Sequence, residues 1–355
     1  MDRLRVGIIG TGRISGLHAA EYIANPKAEI VAVCDANRDL AKTQAAAWGV
    51  PESRVFDNWD DLLAVDEVDA VEILLPHHLH KPATLAAFAA GKHVSVQKPM
   101  AHSVADADAM CAAAAQAGRV FKVFENFVFY PPVVKAKALI DAGAIGRPLS
   151  IRVKSTFGKG RNAWPIPPSA AAWRFNPETC GGGPVIFDDG HHKFALGWYF
   201  MGQAEEVHAW IGATEVDAGL LDAPAMVSWR FSCGRFGNFE AVHAPRLEVH
   251  TRTYPQDDQV EITGEEGVIW ITRGHGRIGD RPPVILYREG ETTGFSDMET
   301  DWESSFVHST RHWIRVMTEG GTPSLTGEEG REVLRFTLAA LRSQELGRAV
   351  RVEEI

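Results

Sequence analysis

Leu4-Arg5-Val6-Gly7-Ile8-Ile9-Gly10-Thr11-Gly12-Arg13-Ile14-Ser15 opens the chain, and its reading decides the fold. The apolar run at 6–9 suits a strand buried on both faces, and helical spacing follows over 14–23. Between the two stands a Gly-x-Gly-x-x-small turn, in the strand–turn–helix context of a dinucleotide fingerprint. Gly10 permits the tight turn and Gly12 lets backbone approach a pyrophosphate. The helix amino terminus, entered through Arg13 and Ile14, supplies N–H groups and a favourable dipole. Ser15 holds the third glycine position, where a small residue still allows close helix–strand packing. The same glycines would also serve an ordinary tight turn, so the surrounding chain has to discriminate.

Working outward, apolar runs at 30–33, 68–75, 93–96 and 120–124 alternate with Ala-rich helical stretches at 38–48, 82–90 and 104–117. That alternation predicts a doubly wound parallel sheet over residues 1–125. Asp35 closes the second run, 25 residues after Gly10. A carboxylate there accepts hydrogen bonds from the ribose hydroxyls and repels a 2′-phosphate, which favours NAD over NADP. Arg38, three residues on, softens that preference if it pairs with a phosphate. Carboxyl ends of strands in such sheets open on the ligand crevice. Leu75, Pro76, His77 and His80 follow one strand and Gln97 and Lys98 another, so all are expected beside the cofactor. Lys98 is then placed to reach a substrate oxygen; a solvated surface lysine is the plainer alternative.

After Pro131 and Pro132 the texture changes. A helix at 133–142 and a strand at 149–157 lead into a loop, 158–180, carrying Arg161, Trp164, Trp173 and Arg174. A helical stretch spans 184–201. Short alternating segments follow at 207–211, 226–231, 236–242, 247–254, 260–263 and 268–272, then helices at 302–318 and 328–346. The pattern predicts a second domain, 126–355, of α+β class with a mostly antiparallel open sheet, whose terminal helix is able to pack back on the first. Asp188-Asp189-Gly190-His191-His192 follows a triple-glycine turn at 181–183. Asp188 and His192 are four apart and share a helix face. A carboxylate on one imidazole nitrogen leaves the other for proton transfer at neutral pH. Helix capping beside a satisfied histidine would use the same residues.

Composition narrows the classes. The 355 residues carry 36 basic and 46 acidic side chains, a net charge of −10, which argues against nucleic acid or an anionic membrane as partner. Charge is spread, with 12 basic and 16 acidic residues in 1–125. Cys34, Cys111, Cys180 and Cys233 stand 77, 69 and 53 residues apart, which excludes a zinc ribbon or compact disulfide framework. No His/Cys/carboxylate set has metal-site spacing, so no metal is expected. No signal peptide or bilayer-length apolar run is present, and the chain reads as a cytoplasmic protein. Eight of its ten tryptophans fall after residue 125. Their flat faces suit the C–H side of a sugar or cyclitol, with Arg161 and Arg174 bonding its hydroxyls; core or interface anchoring would use the same residues.

The turn at Gly10–Ser15, Gln97-Lys98-Pro99 and Asp188-Asp189-Gly190-His191-His192, in that order, resemble the glucose–fructose oxidoreductase/inositol dehydrogenase (Gfo/Idh/MocA) family. Asn126, Pro131 and the carboxy-terminal run from Gly327 through Gly347 extend the resemblance over nearly the whole chain. It implies an NAD-dependent dehydrogenase oxidising a secondary hydroxyl of a sugar, glycoside or inositol. Lys98 would bind the reacting hydroxyl, His192 act as general base and Asp188 orient it. His80 and Asn126 would neighbour the cofactor, and His191 the substrate. A homodimer or homotetramer is implied, formed through the open sheet face, on which Trp210, Trp229, Phe231 and Trp270 are expected. Three departures stand out: Gln97 replaces a glutamate, His77 an asparagine and Ser15 a glycine. A keto-sugar reductase, an NAD-dependent glycosidase and a non-catalytic sensor are the rival readings, the last disfavoured by the joint presence of Lys98, Asp188 and His192.

Overall fold

In the computed structural model Leu4–Ile9 forms β1, buried at every residue except Arg5, in the middle of a six-stranded parallel sheet. The other strands are β2 (Ala28–Cys34), β3 (Val55–Phe56), β4 (Ala70–Ile73), β5 (His93–Gln97) and β6 (Phe121–Phe124), in the order β3-β2-β1-β4-β5-β6. Helices α1 (Ser15–Ala24), α2 (Arg38–Trp48), α3 (Trp59–Leu63), α4 (His80–Ala89) and α5 (Val104–Ala117) connect them. The predicted bounds of α2 and α5 hold to the residue because both helices are punctuated chemically. Asn37 and Ser103 accept the N–H of Leu40 and Asp106, and Gly49 and Gly118 end the helices in left-handed conformation.

The structure describes residues 1–166 and 168–355, so Pro167 of the 158–180 loop lies outside the described residues. By contacts the chain forms two units, Met1–Asn126 with Phe306–Leu334, and Phe127–Ser305 with Arg335–Ile355.

The second unit opens with α6 (Pro131–Asp141) and is built on a nine-stranded sheet. Its strands are β7 (Pro148–Arg161), β8 (Ala204–Ile211), β11 (Ala225–Phe231), β12 (Phe236–His250), β13 (Gln256–Gly264), β14 (Gly267–Ile271), β15 (Val284–Arg288), β16 (Glu291–Phe295) and β17 (Val350–Arg351). The order is β16-β15-β14-β13-β7-β12-β11-β8-β17, and a separate ribbon pairs β9 (Thr214–Val216) with β10 (Gly219–Leu221). All neighbours run antiparallel except β7 and β12, which are parallel. The segments read separately at 236–242 and 247–254 correct to one strand, β12, whose register breaks between His243 and Glu248. Pro245 lies in that break; it has no N–H for a ladder, and this made the sequence look interrupted.

Helices α7 (Pro168–Ala171), α8 (Pro177–Cys180) and α9 (Gly190–Met201) complete this part. α9 covers one sheet face, with Phe194 6.0 Å ring to ring from both Trp229 and Phe239. Trp229 and Phe231 are therefore on the helix-covered face, not the open one as expected from sequence, and each is 2% exposed. The open face keeps Trp210, 60% exposed, and Trp270, among cross-strand ion pairs Arg152–Glu261, Lys154–Glu240 and Arg230–Glu206.

α10 (Ser304–Glu319) and α11 (Gly327–Leu346) end the chain. In the first unit, Trp313, Ile314 and Met317 of α10 join Leu4, Val6, Ile8 and Tyr22 in one apolar core. A Cβ on Gly330 of α11 would meet Val123 at 2.4 Å, so that turn lies directly on β6. In the second unit Phe336 of α11 packs 4.9 Å from Phe194.

Candidate functional site

The first unit carries a dinucleotide cradle. Gly10 has φ +98°, and a Cβ there would sit 2.5 Å from the Leu74 carbonyl at the end of β4, so only glycine fits. A Cβ on Gly12 would meet nothing within 4 Å, which leaves open space beside the amino terminus of α1, an end that no side chain caps. Ser15 is buried and bonds the Gly12 carbonyl at 2.6 Å, doing with a hydroxyl what a third glycine does by being small. Asp35 accepts the N–H of Thr11 at 2.7 Å through Oδ2 and that of Asn37 at 2.9 Å through Oδ1. The Thr11 hydroxyl adds a third bond to Oδ2 at 3.1 Å, and Oδ1 keeps a lone pair for a hydroxyl donor. A cradle that a Cβ would fill, an uncapped helix end and an anchored carboxylate fit a pyrophosphate and ribose. Arg13 is exposed, Ile14 half-buried and Asn126 buried. Arg38 is turned to Asp57 at 3.3 Å on the surface.

His80 ties two strand ends together. Its ring nitrogens lie 2.8 Å from the carbonyls of Pro99 and Leu75, and His77 stands 5.5 Å away ring to ring. Burial, with the His77 charge adding, pushes the His80 ring down to about 3 against the pull of both carbonyls, so the neutral ring donates to one of them and abuts the other. His80 is thus a brace for Leu75, Pro76 and the Gln97-Lys98-Pro99 segment. Lys98 itself is 8% exposed, which sets aside the solvated-lysine alternative.

Behind Lys98 runs a buried polar chain that sequence reading missed. Lys98 N–H donates to Gln97 Oε1 at 2.8 Å, and Gln97 Nε2 faces His18 Nε2 at 3.1 Å. His18 Nδ1 meets Glu72 Oε1 at 3.0 Å, while Tyr22 and Ser95 donate to the same carboxylate at 2.7 and 3.1 Å. The available signal was Glu72 itself, a carboxylate inside the apolar run of β4.

The second unit holds the Asp188–His192 segment. Gly183 leads into Pro184–Asp189, a π-helical turn, and α9 continues from it. Such wide turns cluster at functional sites. A Cβ on Gly190 would come within 2.9 Å of the Val185 carbonyl, which is why the motif keeps glycine there. Asp188 pairs with Arg174 at 2.8 Å, and Arg174 lies 4.5 Å over the Trp173 ring. Three predicted residues are thereby brought together. His192, 4% exposed, has its ring 4.5 Å from Phe127 and 6.4 Å from His275. His191 is fully buried, with Nδ1 at 3.3 Å from Thr337 Oγ1, so it braces the helix. Trp164 packs 5.8 Å from Tyr254, which in turn lies 5.7 Å from Trp302. Arg161 is exposed and pairs with Glu248 at 3.2 Å.

Lys193, Gln256, Asp258 and His275 were also missed. The buried Lys193 ammonium stands 3.1 Å from Asp258 and 3.4 Å from Asp189, and 4.5 Å over the Phe127 ring. Asp189 also accepts from Gln256 at 2.9 Å. Asp257-Asp258 at the start of β13 was the legible signal, since adjacent carboxylates are rarely buried without partners.

Comparison with known proteins agrees with this geometry. The family described as oxidoreductases with an NAD-binding Rossmann fold matches residues 4–125, and its C-terminal alpha/beta domain matches 137–352. A myo-inositol 2-dehydrogenase of Thermotoga maritima is 27% identical over 99% of both chains. A levoglucosan dehydrogenase of Pseudarthrobacter phenanthrenivorans is 29% identical over 76% of this chain and 73% of its own. A levoglucosan dehydrogenase structure, complexed with NADH and L-sorbose, is similar at TM-score 0.82 and 25% identity, covering 99% of each chain. With the two family models matched over most of the chain and a cradle that fits the dinucleotide, the chain belongs to the Gfo/Idh/MocA family and is an NAD-dependent oxidoreductase.

Proposed function

We propose that this protein oxidises a secondary hydroxyl of a sugar, glycoside or inositol to the ketone, preferring NAD to NADP. The observation that carries the reading is the second unit's buried imidazole, His192, set in a wall of aromatic rings beside an Arg174-anchored carboxylate. NAD, when bound, accepts the hydride from the carbinol carbon. Lys98 holds the reacting oxygen and favours its deprotonation, and His192 takes the proton; in the reverse direction His192 returns it. Asp188 orients the proton-handling segment. The indole faces of Trp164 and Trp173 stack on substrate C–H groups while Arg174 bonds hydroxyls.

NADH formation followed by absorbance across sugars, anhydrosugars and inositols tests this. Turnover of at least one polyol with NAD is expected, faster than with NADP. Tight NADH binding with no turnover on any would overturn it in favour of a sensor or glycosidase. The inositol and levoglucosan activities named for the relatives support starting the panel there. A cytoplasmic homodimer or homotetramer through the open sheet face is part of the same proposal. Among the described residues no helix is long and apolar enough to cross a membrane.

A further inference from the structure

Asp258 and His275 form a carboxylate–imidazole pair in the same unit as His192. Asp258 is 1% exposed, and its Oδ2 lies 2.7 Å from His275 Nδ1. The same carboxylate takes Ser155 Oγ at 2.6 Å, Gln256 Nε2 at 2.9 Å and the Lys193 ammonium at 3.1 Å. Burial alone would raise this carboxyl, but Lys193 and the His275 and Ser155 donors hold it well below the ordinary carboxylate range. An ionised carboxylate only accepts hydrogen bonds, so His275 donates Nδ1–H to it, and Nε2 is the ring nitrogen left for a further hydrogen bond.

That ring packs against its neighbours and also borders open space. His275 lines a cavity of about 360 Å³ with Thr253, Arg252, Arg273, Asp301 and Trp302. Trp302 lies 4.5 Å from the His275 ring and Phe127 lies 5.2 Å away; Phe127 is also the ring packed on His192. Among the described residues no group takes His275 Nε2. The two imidazoles stand 6.4 Å apart at 66°. With ring centroids that close and a hydrogen bond of roughly 2.6–3.2 Å from each ring, one polyol is long enough to reach both.

We propose that His275 is a specificity-determining residue: its Nε2 hydrogen-bonds the hydroxyl adjacent to the one oxidised, so the site selects vicinal diols. This rests on the polyol-dehydrogenase reading above. His192 handles the reacting proton, and His275 holds the neighbouring carbon in register through Asp258.

The test compares kcat/KM for D-glucose and 2-deoxy-D-glucose, and for myo-inositol and cyclohexanol, in wild type, His275→Asn and His275→Phe. Asparagine keeps a donor to Asp258 and phenylalanine keeps the packing on Trp302, but both lose Nε2. A single lost hydrogen bond predicts a fall of about 10-fold for the vicinal polyols in either variant, with little change for the partners lacking the neighbouring hydroxyl. The preference for adjacent hydroxyls therefore shrinks towards one. An unchanged preference in a variant with a cooperative thermal transition overturns the inference alone. Failure of both variants to fold also overturns it, leaving the pair a purely structural tie. Wild type that oxidises no member of the panel overturns the polyol reading and this inference with it.

Discussion

Gln97 shows how one residue sets the polarity of a buried chain. The Lys98 N–H must donate, so Gln97 offers Oε1 to it and turns Nε2 towards His18. His18 Nε2 is therefore a lone pair, and Nδ1–H points at Glu72. Burial keeps the His18 ring low against the pull of Glu72, in agreement with a neutral imidazole. Gln97→Glu places a carboxylate where an amide had donated. His18 then needs protons on both nitrogens, so its folded pKa rises above the unfolded value. Stability from that proton is present below the unfolded pKa and lost as pH rises through the folded one. The variant should lose about 1–3 kcal/mol at pH 9 and less at pH 6, read by thermal melting; a deficit equal at both pH values would refute the assigned polarity. Asp35→Ala, by contrast, should weaken NAD and relax discrimination against NADP in a cofactor titration, since a repelling carboxylate at the ribose is removed. His192→Ala should cut turnover by roughly 10²–10⁴ with NADH affinity unchanged, and equal turnover would remove it as base. At this scale the sequence showed the residues that carry motifs. It hid Glu72, His18, Asp258 and His275, because a buried polar residue is defined by partners brought from distant segments.

At the scale of elements, the wide turn Pro184–Asp189 is held from outside. Gly183 and Pro184 offer no capping side chain, and Asp222, before β11, accepts the N–H groups of Val185 and Ile186 at 2.8 Å each. A Cβ on Gly183 would come within 2.2 Å of that carboxyl, so glycine is what admits it. Asp222→Ala leaves two amides without their acceptor at the start of the segment carrying Asp188 and His192. A cost of about 1–3 kcal/mol is expected in denaturant unfolding, with a lower kcat and unaltered NADH affinity. Asp222→Asn, which retains one oxygen, should fall between. Wild-type kcat in Asp222→Ala would show that the turn holds itself. Periodicity found this helix and five of the six strands of the parallel sheet, because these are apolar runs; it missed the two-residue edge strand β3. It did not find the π-helical winding, the 15-residue β12, or β15 and β16, where spacing or mixed polarity leaves no clean repeat.

At the scale of the whole molecule, the helix-covered and open faces of the nine-stranded sheet make different contributions. On β13, Asp257 is buried, and burial with the Asp258 charge pushes its carboxyl up to about 7 from 3.8, against a donor from Gln259. Between those values the folded chain retains a proton that the unfolded chain releases, so stability falls as pH rises through that window, by on the order of 4 kcal/mol. Asp257→Asn should therefore melt higher than wild type at pH 8, with the gap closing near pH 4; parallel curves would count against it. The open face is set by alternation. Trp210 and Phe236 are 60% and 61% exposed, and the cross-strand ion pairs Arg230–Glu206, Lys154–Glu240 and Arg152–Glu261 accompany them on neighbouring strands. Exposed aromatic rings flanked by pairs that neutralise each other suit a self-complementary surface, for which a two-fold contact is the simplest closed solution. A central aromatic ring in such a contact typically contributes at least 2 kcal/mol. Trp210→Glu should therefore shift the mass measured by light scattering towards the monomer at micromolar concentration, while its thermal transition stays cooperative. The same mass for variant and wild type would place the subunit contact elsewhere.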